Sequence, residues 1–183
     1  MHLLNTPIEG LLILEPKVFK DERGYFFESF HAGRYQEAGI TNSFVQDNES
    51  KSTRGVIRGI HYQLEPFGQA KLVRVIEGCV FDVAVDLRVK SPTFGKWFGI
   101  ELSGDNKRQL LIPRGFGHGF SVLSDTAVFS YKCDNYYSPQ HERGILYNDP
   151  ELAIDWRIPE QEAVVSEKDL KNAPFKNAEL PSE

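Results

Sequence analysis

His61 and Gln63 lie two positions apart in RGVIRGIHYQ, residues 54–63, a β-branched and Gly-punctuated stretch that reads as a strand. Side chains two apart on a strand share one face, so both point the same way, into the interior of the fold. Histidine titrates near neutral pH and is a competent proton acceptor there. A lone inward histidine is commonly a hydrogen-bonded core residue, so this stretch alone does not make a site. A second segment, IPRGFGHGF at 112–120, brings His118 with Gly115, Gly117 and Gly119 around it. Its glycines suit the mouth of a cavity or a plain barrel corner equally well.

Two further side chains widen the chemistry. In AVFSYKCDNYY, residues 127–137, Tyr131 alternates with Ala127, Phe129 and Cys133 and therefore faces inward. Lys71 opens the apolar run KLVRVIEG. A histidine base, a lysine ammonium beside a developing oxyanion and a tyrosine acid together suit proton abstraction α to a carbonyl. Taken singly, Tyr131 also reads as a hydrogen-bonded barrel residue, and Lys71 as a loop residue with its head in water.

The elements that must position these groups are mostly strands. FDVAVDLR, residues 81–88, alternates Phe81, Val83, Val85 and Leu87 with Asp82, Ala84, Asp86 and Arg88, which predicts one buried face. IEGC and LSGDNKRQ carry the Gly, Asn and Asp residues of tight turns. Helix is scarce: ESFHAGRYQEAGI predicts a short one ending at Gly39, and SEKDLKNAP another with Ser166 as N-cap. Many short antiparallel strands indicate an all-β fold, a β-sandwich or jelly-roll barrel with a few short peripheral helices.

At 183 residues the chain has the length of one domain spanning 1–183, with a polar tail, 175–183, expected to be loose. The net charge of −5 argues against nucleic acid or an anionic membrane as partner, because polyanions are held by summed Lys and Arg charge. The only apolar run near the start, Leu11 to Leu14, is too short for a signal peptide or a span, which predicts a soluble, intracellular protein. Cys79 and Cys133, far apart and without C-x-x-C spacing, read as reduced core residues.

Gly55, His61, Lys71 and Gly78, followed by Pro113, Gly115 and His118, resemble the two motifs of the cupin superfamily. Where metal-binding cupins carry a second histidine, a glutamate and a last histidine, this chain has Gln63, Lys71 and Val122. An ammonium among the ligands repels a divalent ion, so no metal is expected.

The resemblance narrows further. RGYFFESF, FVQDNESKS, RGVIRGIHYQ, QAKLVRVIEGCVFDVAVDLR, SPTFGKW, IPRGFGHGF, YKCDNYYSP and ERGILYNDPELAIDW are similar, in order and spacing, to the dTDP-4-dehydrorhamnose 3,5-epimerase family. That resemblance implies a cytoplasmic, cofactor-free, homodimeric jelly roll acting on dTDP-4-dehydro-6-deoxyglucose in dTDP-L-rhamnose synthesis. It implies His61 as the base at C3 and C5, Asp169 as its orienting partner, Tyr131 as the acid on the opposite face and Lys71 as the stabiliser of the C4 enolate. Arg23, Glu28, Gln46, Asp47, Asn48, Arg58, His118, Glu142 and Lys168, with Lys71, would hold sugar and diphosphate. Tyr137, or else Tyr136, would stack on thymine.

Two assignments stay open on the residues themselves. Alternation puts Arg58 opposite His61, so both reach one ligand only if Gly59 marks a bulge or Arg58 serves a partner's site. Asp169, three residues after Ser166, reads on the local pattern as part of a capping box, and it is the family resemblance that favours the pairing with His61. Rival readings are a relative that inverts C3 or C5 alone, a non-catalytic sugar-binding jelly roll and a metal-dependent cupin.

Overall fold

A computed structural model describes residues 1–181. One sheet comprises β1 (His2–Asn5), β2 (Leu12–Glu15), β5 (Gln46–Thr53), β7 (Lys71–Glu77), β10 (Gln109–Ile112) and β12 (Thr126–Cys133), in the spatial order β1-β2-β10-β7-β12-β5. The other comprises β6 (Val56–Gln63), β8 (Cys79–Asp86), β9 (Trp97–Ser103), β11 (Phe116–Val122) and β13 (Glu142–Gly144), ordered β13-β6-β11-β8-β9, with β14 (Val164–Val165) parallel to β6. A separate hairpin pairs β3 (Val18–Asp21) with β4 (Gly24–Phe27). The sheets face each other as an unclosed jelly-roll sandwich of the cupin type.

Three apolar layers follow from this stacking. Val73, Val75, Leu110 and Phe129 of the first sheet meet Val80, Ala84, Phe116 and Phe120 of the second in the central layer. Leu14, Leu72 and Leu111 on the back of the first sheet are covered by Tyr35 of helix α1 (Ala32–Glu37) and by Ile40. Phe81, Val83 and Val85 on the back of the second sheet are covered by Ile145, Leu152, Trp156 and Phe175 from the last third of the chain.

That third layer changes the reading of residues 81–88. The predicted polar face is also buried, because it is the face turned to the central layer: Asp82, Ala84 and Asp86 are fully enclosed. Alternation marks two environments here, one apolar and one apolar with buried carboxylates. Asp82 meets His118 Nε2 at 2.9 Å. Asp86 accepts from Arg88, Ser91 and Thr93 and so ties down the loop that leads to β9.

The third layer also corrects the expectation of a loose tail from 175. Phe175 is buried against Phe94, its backbone N–H donates to Asp149, and Leu180 packs on the same layer. Tyr62 donates to the Glu179 carbonyl at 2.7 Å. A polar composition hid these apolar anchors. Residues 182 and 183, which that expectation included, lie outside the described residues.

The glycine-rich segment 112–120 is neither corner nor cavity mouth over most of its length. Residues 116–122 form a central strand buried along its whole run between β6 and β8. A Cβ at Gly119 would press on the Arg58 carbonyl and Trp156, so small residues here permit close approach of neighbouring chains. The second predicted helix is only a 3-10 turn, Asp169–Lys171. Cys79 and Cys133 are both free.

Candidate active site

Five strands line one cavity of about 290 Å³. β6 contributes His61 and Gln63, β7 Lys71, β12 Tyr131 and β5 Gln46 and Asn48, while Glu142 of β13 and Tyr137 of the preceding loop close its side. The two-residue spacings seen in the sequence thus become lining residues: 61 with 63, and 46 with 48.

His61 Nε2 lies 2.5 Å from Asp169 Oδ1. Burial tends to raise the Asp169 carboxyl, but hydrogen bonds from His61, the Gly59 N–H and Ser166 outweigh it and hold the group below the ordinary carboxylate range. A carboxylate accepts only, so the imidazole donates from Nε2–H, which leaves the lone pair of the neutral ring on Nδ1. The capping alternative for Asp169 is half realised: its backbone N–H donates to Ser166 Oγ at 3.1 Å while its side chain turns to His61.

Lys71 Nζ sits 5.8 Å from the centre of the Tyr131 ring. Burial pushes the Lys71 ammonium below its usual value, partly offset by Cys133, Asp82 and Glu142. The same burial raises the Tyr131 phenol, with Arg58 pulling the other way. Burial thus favours the protonated phenol of Tyr131, the form that can supply a proton, while Cys133, Asp82 and Glu142 favour the charged form of Lys71, the form that steadies an oxyanion.

The register of β6 against β11 shows that Gly59 does mark a bulge. His118 stands opposite His61 while Phe120 stands opposite Arg58, so β6 carries one extra residue against β11. Gly59 in this bulge has φ +118°, and a Cβ there would come within 2.6 Å of the His118 carbonyl. Arg58 then lies near enough to influence Tyr131, and its Nε donates to Ser52.

Other predicted site residues are dispersed. Asp47 alternates to the opposite face of β5 and pairs with Lys132 at 2.9 Å. His118 is buried on Asp82 and stacks against Phe129 beneath the cavity. Lys168 bonds Glu142 Oε2 at 2.5 Å from an adjoining cavity of about 220 Å³, and Tyr137 donates to the same oxygen at 2.7 Å. Those bonds hold the Glu142 carboxyl below its usual range against the opposing effect of burial. Arg23 pairs with Asp21 beside the β3–β4 hairpin, and Glu28 pairs with Arg34, both away from the cavity within this chain. Tyr136 is exposed and outside the lining, whereas Tyr137 is part of it.

Gln69 and Tyr62 line the cavity without having been singled out from sequence. Gln69 stands two residues before Lys71, the same spacing that links His61 to Gln63, so alternation could have found it. Tyr62 carried no such signal, since its hydroxyl is turned to the C-terminal layer.

Fold and cavity together define a cupin-type jelly roll equipped for acid–base chemistry next to a carbonyl. Comparison with known proteins refines the class. The profile of the dTDP-4-dehydrorhamnose 3,5-epimerase family matches residues 5–177. A dTDP-4-dehydrorhamnose 3,5-epimerase of Shigella flexneri is 57% identical over 98% of both chains, and one of Pseudomonas aeruginosa is 55% identical over 98% of both. The crystal structure of a Legionella pneumophila dTDP-6-deoxy-D-glucose-3,5-epimerase in complex with dTDP-4-keto-L-rhamnose superposes with a TM-score of 0.95. It is 54% identical and covers 100% of this chain and 98% of its own. This chain belongs to the dTDP-4-dehydrorhamnose 3,5-epimerase family and is an epimerase.

Proposed function

We propose that the enzyme inverts C3 and C5 of dTDP-4-dehydro-6-deoxy-D-glucose to give dTDP-4-dehydro-L-rhamnose. The observation that carries this reading is the set of His61 backed by Asp169, Lys71 and Tyr131 around one cavity. His61 takes the proton from the carbon beside the C4 ketone, and the C–H electron pair moves into an enolate whose oxygen the Lys71 ammonium steadies. Tyr131 then gives a proton to that carbon from the opposite face and regains one from water, while His61 releases its own. The cycle runs once at each carbon. The relative crystallised with dTDP-4-keto-L-rhamnose supports the substrate class.

In this reading Gln46, Asn48, Glu142 and Lys168 contact the sugar and diphosphate, and Tyr137 offers its ring to thymine. Arg58 reaches the same ligand across the Gly59 bulge. Guanidinium forks suit phosphate oxygens. Arg23 and Glu28, remote from their own chain's cavity, fit contact with the ligand of a second copy, which favours a homodimer. Phe19, Tyr25 and Phe26 beside them are exposed and form an apolar surface such a copy would cover. Among the described residues no helix is long and apolar enough to cross a membrane, and a nucleotide-sugar substrate fits action in the cytoplasm.

A narrower activity also has support: a dTDP-4-dehydrorhamnose 3-epimerase of Streptomyces niveus is 45% identical over 85% of this chain, and a 3'-monoepimerase of Streptomyces bikiniensis is 33% identical with a TM-score of 0.90. Incubation with the substrate in D₂O, followed by NMR at C3 and C5, separates the readings. Exchange at both carbons is expected. Exchange at C3 alone would replace the proposal by the single-carbon activity, and exchange at neither would overturn both.

A further inference from the structure

Gln63 occupies the place where metal-binding cupins carry a ligand, yet its amide is spent on backbone. It is only 7% exposed. Its Nε2 donates to the Tyr136 carbonyl at 3.2 Å and to the Phe67 carbonyl at 2.7 Å, and its Oε1 accepts from the Ser138 N–H at 2.6 Å. The Tyr136 carbonyl and the Ser138 N–H belong to the two peptide groups that flank Tyr137. The remaining polar group of the first of these peptides, the Tyr137 N–H, donates to Gln46 Oε1 at 3.0 Å.

We propose that Gln63 is a positioning residue for nucleotide binding, fixing the backbone of Tyr137 so that its ring is presented at the cavity wall. The inference rests on the reading of Tyr137 as the face that stacks on thymine.

The physical case is one of preorganisation. Tyr137 is half exposed and its ring is held at the tip by the Glu142 contact, so its direction depends on the backbone that carries it. Besides the Gln46 contact at the Tyr137 N–H, the 134–141 loop is pinned further from Tyr137, by Asn135 to the Pro66 carbonyl and by Gln69 to the Asn135 carbonyl. Among the described residues Gln63 alone grips both peptides around residue 137, from a rigid strand whose end pairs with β13. Ordering a side chain before the ligand arrives removes an entropic cost from binding. His61 and Tyr131 are held by other contacts, so the effect belongs to binding and not to proton transfer.

The test compares Gln63→Leu, Gln63→Glu, Tyr137→Ala and the Gln63→Leu/Tyr137→Ala double variant in calorimetric titration with dTDP, alongside kcat, KM and thermal midpoint. Gln63→Leu removes all three hydrogen bonds. Gln63→Glu keeps the acceptor for Ser138 but cannot donate to the two carbonyls, and it carries the test should Gln63→Leu fail to fold. Expected are dTDP binding weakened roughly tenfold, the scale of one base–aromatic stack, a parallel rise in KM, kcat within about threefold, and a double variant no weaker than Tyr137→Ala. If Tyr137→Ala weakens dTDP and the folded Gln63 variants do not, the inference falls while the stacking reading stands. If Tyr137→Ala binds dTDP like the parent, the stacking reading falls and the inference with it. Loss of kcat at unchanged dTDP affinity in the Gln63 variants would also overturn it.

Discussion

His61 Nε2 and Asp169 Oδ1 are 2.5 Å apart although 108 residues separate them in the chain. The carboxylate reaches the ring from the 3-10 turn behind β6, and two backbone contacts make the approach rigid: Asp169 N–H on Ser166 Oγ and Gly59 N–H towards Asp169 Oδ2. In the proposed cycle Asp169 selects the tautomer of His61 and steadies the imidazolium that follows proton abstraction. Asp169→Asn keeps the shape and removes the charge. Since positioned acid–base groups contribute about 10²–10⁴-fold, the variant should lose about 10²-fold in kcat with dTDP affinity little changed. Steady-state rates within threefold of the parent would show that His61 works without it.

Lys71 and Tyr131 are displaced in opposite directions by the same burial, the ammonium towards easier loss of its proton and the phenol towards harder loss. Activity should therefore fall on the alkaline side as Lys71 neutralises, at a pH below the ordinary lysine value of about 10.4. Lys71→Arg, which stays charged throughout, should lower kcat yet move this alkaline limb upwards, whereas Tyr131→Phe should leave it in place. A limb unmoved in Lys71→Arg assigns the titration to another group.

What could be seen before the coordinates, and what could not, follows from the range of the forces involved. Alternation is a local property, so the shared faces of 61 with 63 and 127 through 133 were legible from spacing, as was the all-β class. The bulge at Gly59 was legible only as an alternative, because it is a register mismatch between β6 and β11 that neither strand contains alone. The double burial of residues 82–86 was hidden for the same reason: a cover formed by Leu152, Trp156 and Phe175 is remote in sequence. The partnership of Asp169 with His61 came from the family resemblance, since the local pattern around Ser166 argued for a cap and had no means of registering a contact across the fold.

Tyr131→Phe separates the two halves of the proposed cycle. In that cycle the phenol is needed only to return a proton, whereas His61 and Lys71 suffice to form the enolate. The variant should still exchange the C3 and C5 protons into D₂O within about tenfold of the parent rate, while product formation drops by about 10²-fold or more. NMR of exchange and of product in the same sample gives both numbers. Equal loss of the two would mean that Tyr131 acts before or during abstraction, and so is not the acid.

Asp86 offers a test of the scaffold apart from the chemistry. It is fully enclosed, and hydrogen bonds from the Arg88 N–H and guanidinium, Ser91 and Thr93 bring its carboxyl down to about 2 against the opposing effect of burial. A carboxyl whose folded pKa lies below its unfolded value, about 3.9, adds stability that is complete above the unfolded value and is lost as pH falls through the folded one. Asp86→Asn retains an acceptor but gives up the charge-assisted bonds and should cost about 2–3 kcal/mol near neutrality. The deficit should shrink as pH drops from about 4 towards about 2, because the parent then loses the same interaction. Denaturant unfolding of both proteins across that range measures it, and a deficit independent of pH would mean that the charge of Asp86 contributes nothing and that packing of the 87–96 loop carries the effect.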